Sequence, residues 1–153
     1  MRRLALLIVP SVLVACAKPD AAPPAADTTA AMMPAAPTVS LADFAGTWQV
    51  RGMNEAGDSI VGYTLHASAD AGAWSITFPG RDPIPLRVLE VAGDSVVAEG
   101  GPFESAIRKG VQVSTHAVMR IQDGRLTGMT TARYATSGAD SVAMIRAEGT
   151  RMP

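Results

Sequence analysis

With 153 residues, 13 Lys and Arg against 14 Asp and Glu, and a formal net charge of −1, the chain lacks the basic excess that gathers nucleic acid or an anionic surface. Its single cysteine excludes an internal disulfide framework, and its length leaves room for one principal core.

The chain opens MRRLALLIVPSVLVAC, two arginines followed by an apolar run from Leu4 to Val14 that is broken only by Pro10 and Ser11. That run is too short for a permanent membrane span and reads as a secretory signal peptide over residues 1–15. Its end, Leu13-Val14-Ala15-Cys16, resembles the lipobox of bacterial lipoproteins. The resemblance implies cleavage before Cys16, diacylglycerol on its sulfur and acylation of the new amino group. Acyl chains at about 0.8 kcal/mol per buried CH2 would hold the chain to a membrane. Ala17 after the cysteine, in place of Asp, points by the same resemblance to the periplasmic side of the outer membrane.

From Cys16 to Ser40 the sequence is an Ala/Pro-rich tether. Nine Ala and five Pro among residues 17–40 supply neither a core nor a continuous backbone ladder, so a disordered, partly polyproline segment is expected. Residues 41–153 then form one domain, with ten cations interspersed among twelve carboxylates.

Turn signals recur through that domain: 54–57, 69–72, 79–83, 92–94, 100–102, 123–124 and 136–139. Between them run segments with a period of two, and no helical stripe extends over four turns. The pattern predicts eight strands near 46–53, 59–67, 73–78, 84–91, 94–100, 111–122, 124–135 and 140–151. Asp123-Gly124 is suited to a type I′ turn between two long strands. Residues 101–110 read as a longer connection or an extra short strand. An open eight-strand meander leaves two exposed edges, so an all-β, antiparallel up-and-down barrel is the expected fold.

The stretch LADFAGTWQV opens the first strand. It resembles the Gly-x-Trp signature of the lipocalin and fatty-acid-binding superfamily, in which a short helical turn leads into the first barrel strand. The resemblance implies that Gly46 bends the chain and Trp48 plugs the closed barrel end beneath an arginine from the last strand. An antiparallel closure brings the end of that strand beside Trp48, which selects Arg151 over Arg146. The chain departs from lipocalins in lacking domain cysteines, a helix after the barrel and the Thr-Asp-Tyr loop signature, and it has no two-helix lid.

Alternation gives provisional inner faces: Val61, Tyr63, Leu65 and Ala67; Trp74, Ile76 and Phe78; Val111, Val113, Thr115, Ala117, Met119 and Ile121; Leu126, Gly128, Thr130, Ala132 and Tyr134; Ala143, Ile145, Ala147 and Gly149. The small residues among them are expected to leave space for one small ligand. Tyr63, Trp74, Phe78, Val113, Ala117, Met119, Gly128 and Tyr134 are the candidate lining. The opposing expectation is that the large side chains fill the barrel completely.

Neither His66 nor His116 has a ligand partner at metal-binding spacing, no serine sits in a Gly-x-Ser-x-Gly elbow, and most carboxylates fall at turns. No cofactor, no metal and no catalytic residue is therefore expected. The sequence points to a noncatalytic, lipid-anchored, monomeric module that carries a small apolar or amphipathic ligand at the cell envelope and binds no nucleic acid. The alternative is an envelope scaffold or protein-interaction module with a solid barrel.

Overall fold

The structure, a computed structural model, describes residues 38–153. The signal peptide, Cys16 and nearly all of the tether lie outside the described residues. A four-residue helix, α1 (Leu41–Phe44), precedes eight strands: β1 (Gly46–Met53), β2 (Ser59–Ala67), β3 (Trp74–Thr77), β4 (Ile84–Ala92), β5 (Ser95–Glu104), β6 (Gln112–Gln122), β7 (Arg125–Tyr134) and β8 (Val142–Arg151). They form one closed antiparallel barrel in chain order, and β8 returns to pair with β1. The all-β up-and-down barrel anticipated from strand alternation is thus the observed fold.

Local chemistry explains the connections. Asp123 and Gly124 both take positive φ, 52° and 72°, as the tight link between β6 and β7 requires. At the barrel entrance the Asp43 carboxylate accepts hydrogen bonds from both Ser40 N, at 2.7 Å, and Ser40 Oγ, at 2.9 Å. Those two bonds, the backbone one foremost, hold the Asp43 carboxyl below its usual range. Contacts with the barrel begin before Leu41: Val39 N donates to Gly93 O at 2.9 Å, and the Val39 side chain packs against the core.

One segment departs from expectation. Gly100-Gly101-Pro102 was expected to end the fifth strand, yet β5 continues through it to Glu104, with a register irregularity between Gly100 and Phe103. Gly101 has φ 105°, and a Cβ there would lie 2.6 Å from Val113 O. The glycines therefore absorb a bulge inside the strand and do not terminate it.

Strand direction divides the barrel into two ends. The β2–β3, β4–β5 and β6–β7 turns meet α1 and Arg151 at one end, while the β1–β2, β3–β4, β5–β6 and β7–β8 connections gather at the other. The first end is packed solid around Phe44, Trp48, Val50, Leu65, Trp74, Val96 and Leu126, each no more than 1% exposed. Among the small inner-face residues, Gly128, Ala147 and Gly149 serve this packing. A Cβ on Gly128 would meet Val118 O at 2.6 Å, and Val50 and Leu126 already occupy the space beside Gly149. The missing side chains let strands approach one another, which is why they leave no void there.

Candidate functional site

The plugged end is built on Trp48. Its indole N–H donates to Phe44 O at 2.8 Å, and the Trp74 indole likewise donates to Ser68 O at 2.7 Å, so both buried rings have satisfied polar edges. Trp48 and Arg151 are register partners across the β1–β8 seam. The guanidinium carbon lies 4.3 Å from the indole centroid, Nη2 donates to Asp43 O at 2.8 Å, and Nη1 donates to Ala45 O. Gly46 makes room for this arrangement. Its φ is 137°, and a Cβ would sit 2.7 Å from Arg151 Nη1. Arg146 pairs with Met53 near the opposite end of the same seam.

The other end holds an apolar cavity of about 70 Å3. One wall is a run of three aromatic rings, with Tyr63 and Phe78 centroids 5.7 Å apart and Phe78 and Phe103 centroids 6.0 Å apart. The facing wall is a separate hydrophobic cluster of Val113, Ala132, Tyr134 and Ile145. No charged residue lines the cavity. One water needs about 10–15 Å3 of such space and a drug-sized ligand about 300 Å3 or more, so the cavity with the strap in place accommodates a small group only.

A strap, residues 105–110, covers it and contributes Ser105, Ala106 and Ile107 to the lining. Ser105 is 2% exposed, and its hydroxyl accepts from Ile107 N at 3.1 Å and Arg108 N at 2.9 Å. Its own N–H reaches Val111 O at 2.8 Å. Two arginines fasten the strap to its neighbours. Arg81 donates to Glu104 O at 2.6 Å and to Ser105 O at 3.3 Å, while Arg108 lies 4.0 Å over the Tyr134 ring and donates to Asp140 O at 2.6 Å.

Five candidate lining residues, Tyr63, Phe78, Val113, Ala117 and Tyr134, meet at this cavity. Trp74, Met119 and Gly128 do not. They lie toward the plugged end, where Trp74 and Met119 belong to the core around Trp48 and Gly128 admits the β6 backbone. Sequence alternation also missed Phe103, Ser105 and Ile107. Turn parity carried part of the signal: Trp74 follows a plugged-end turn and Gly128 lies four residues from another, whereas 101–110 is an open-end connection.

The histidines lie on the outer surface. His116 Nδ1 is 3.4 Å from Glu99 Oε1, and Arg87 Nη2 is 2.8 Å from Glu99 Oε2. Arg87 first, then His116, holds the Glu99 carboxyl below its ordinary range. His66 Nδ1 is 3.3 Å from Thr47 Oγ1. Among the described residues no group of three or more His, Cys, Asp or Glu side chains is arranged to hold a metal.

Fold and site together define a closed eight-strand barrel with one plugged end and a small apolar cavity under a strap at the other. No family model, curated protein or solved structure matches the chain.

Proposed function

We propose that the protein is a noncatalytic lipoprotein, anchored at the cell envelope through lipid on Cys16, whose lipocalin-like barrel binds or carries a small apolar or amphipathic molecule. The observation that carries the binding part is the charge-free cavity beneath the strap, in the half of the barrel that the Trp48 core leaves unfilled. The anchor rests on the sequence around Cys16, with the outer membrane as the proposed address. A ligand of more than a few heavy atoms requires the strap to lift, which breaks the Arg81 and Arg108 attachments but no barrel ladder. The scaffold alternative draws support from the small cavity volume, about 70 Å3.

The test uses the full chain recovered from membranes. Mass spectrometry of the N-terminal peptide is expected to show an acylated, diacylglyceryl-modified Cys16, and solvent extraction a small apolar molecule in stoichiometric amount. An unmodified cysteine would remove the anchor. An empty extract, together with failure of a hydrophobic fluorophore to bind, would remove the carrier and leave the scaffold.

A further inference from the structure

We propose that the cavity selects small uncharged molecules bearing one acceptor oxygen, such as ketones, esters or alcohols, over fatty-acid anions, and that Tyr63 is the hydrogen-bond donor that positions them. The proposal rests on the carrier reading above. Three independent observations support it.

The lining contains hydroxyls but no charge. A carboxylate drawn inside would lose its hydration with no cation to replace it, a cost that burial of a neutral carbonyl largely avoids.

The rim holds no excess of cations to attract such an anion. The open-end connections carry four carboxylates, Glu55, Asp58, Asp82 and Asp140, against three cations, Arg81, Arg108 and Lys109, and Glu104 ends β5 beside the strap. Two of those cations are already engaged by the strap and its neighbours, Arg81 on the Glu104 and Ser105 carbonyls and Arg108 on the Tyr134 ring and Asp140 carbonyl.

Tyr63 lies within the aromatic wall, held against Phe78. Burial alone pushes its phenol up to about 12, with no hydrogen-bonding group contributing. It therefore remains a neutral O–H donor at every physiological pH, able to pair with an acceptor oxygen and unable to become a competing anion. The Ser105 oxygen, by contrast, is tied by two N–H groups of the strap itself and belongs to the strap, whereas Tyr63 sits on the barrel wall.

The experiment titrates the full chain, methyl-labelled and held in lipid nanodiscs at pH 7, with hexan-2-one, hexanoate and hexane. The methyl resonances of Ala132 and Ile145 report the cavity, and empty nanodiscs supply the partitioning baseline. Hexan-2-one is expected to bind at least about tenfold more tightly than hexanoate. Tyr63→Phe, which keeps the ring against Phe78, is expected to weaken hexan-2-one about fivefold and leave hexane unchanged, the net effect of one hydrogen bond. Unchanged hexane binding also verifies that the variant retains its cavity.

Equal binding of hexanoate and hexan-2-one would overturn the proposed selectivity while preserving the carrier reading. An unaltered hexan-2-one affinity in Tyr63→Phe would overturn the assignment of the donor. If none of the three compounds moves the cavity methyls, the carrier reading falls and the selectivity falls with it.

Discussion

Replacing Arg151 with methionine tests the seam that closes the barrel. The substitution keeps much of the aliphatic stem but removes the guanidinium that stacks on Trp48 and donates to Asp43 O and Ala45 O. The side chain is exposed, so low-end values apply: about 0.5–1 kcal/mol for the stacked cation and about 0.5–1 kcal/mol for each hydrogen bond. Together they come to about 2 kcal/mol, equivalent to a fall in Tm of roughly 8 °C for a domain of this size. Thermal and urea unfolding, followed by tryptophan fluorescence, measure it. Arg146→Met, an exposed position elsewhere on the same seam, is the control and is expected to change stability by no more than about 0.5 kcal/mol. A double-mutant cycle with Trp48→Phe isolates the stacking contribution, expected at about 0.5–1 kcal/mol. If Arg151→Met is as mild as Arg146→Met, Arg151 is a solvated terminal charge and the energetic argument for the plugged end is wrong.

Ser105→Ala leaves the Ile107 and Arg108 N–H groups without their acceptor. Hydrogen exchange is expected to accelerate across 105–111 by about tenfold or more while β6 and β7 retain their protection; uniform exchange throughout the barrel would mean that the strap does not open independently. Stability is also expected to depend on pH at the acid end. Asp43 and Glu99 both have folded-state values below their ordinary ones, through Ser40 and through Arg87 with His116 respectively. Their contribution is complete above the unfolded values, about 4, and disappears as pH falls through the lower folded values. The urea midpoint should therefore hold steady from pH 7 to 5 and decline below about 4, with a shallower decline in Asp43→Asn. Identical acid slopes in the variant and its parent would show that the Ser40–Asp43 bonds do not couple to folding.

The barrel was legible because its strands leave one face polar and turn residues punctuate them. Trp74-Ser75-Ile76-Thr77 alternates cleanly, and Asp123-Gly124 admits little but a tight turn. Gly100-Gly101-Pro102 misled because two glycines and a proline carry the same local signal whether the chain reverses or bulges, and only the nearby Val113 carbonyl distinguishes the cases. Gly128 misled for a related reason. A missing side chain creates a cavity when neighbours stay apart and close packing when they approach, and the Val118 carbonyl that fills this space belongs to another strand. Pocket membership thus depended on height along the barrel as much as on facing inward, and strap residues such as Ser105 have no alternation to reveal them.

The seam between β1 and β8 also fixes when the fold can complete. The Arg151 side chain bonds a carbonyl 106 positions earlier, so the contact that locks the first strand awaits the last. A ribosome releases a chain from its N-terminus, and β1 must remain a free edge throughout that interval. Fragments that stop before Val142 retain two unpaired edges and an indole without its guanidinium cover, and are left as substrates for proteases and for aggregation. Closure therefore acts as a check on chain length, with the final strand setting the moment at which the protein becomes resistant to degradation.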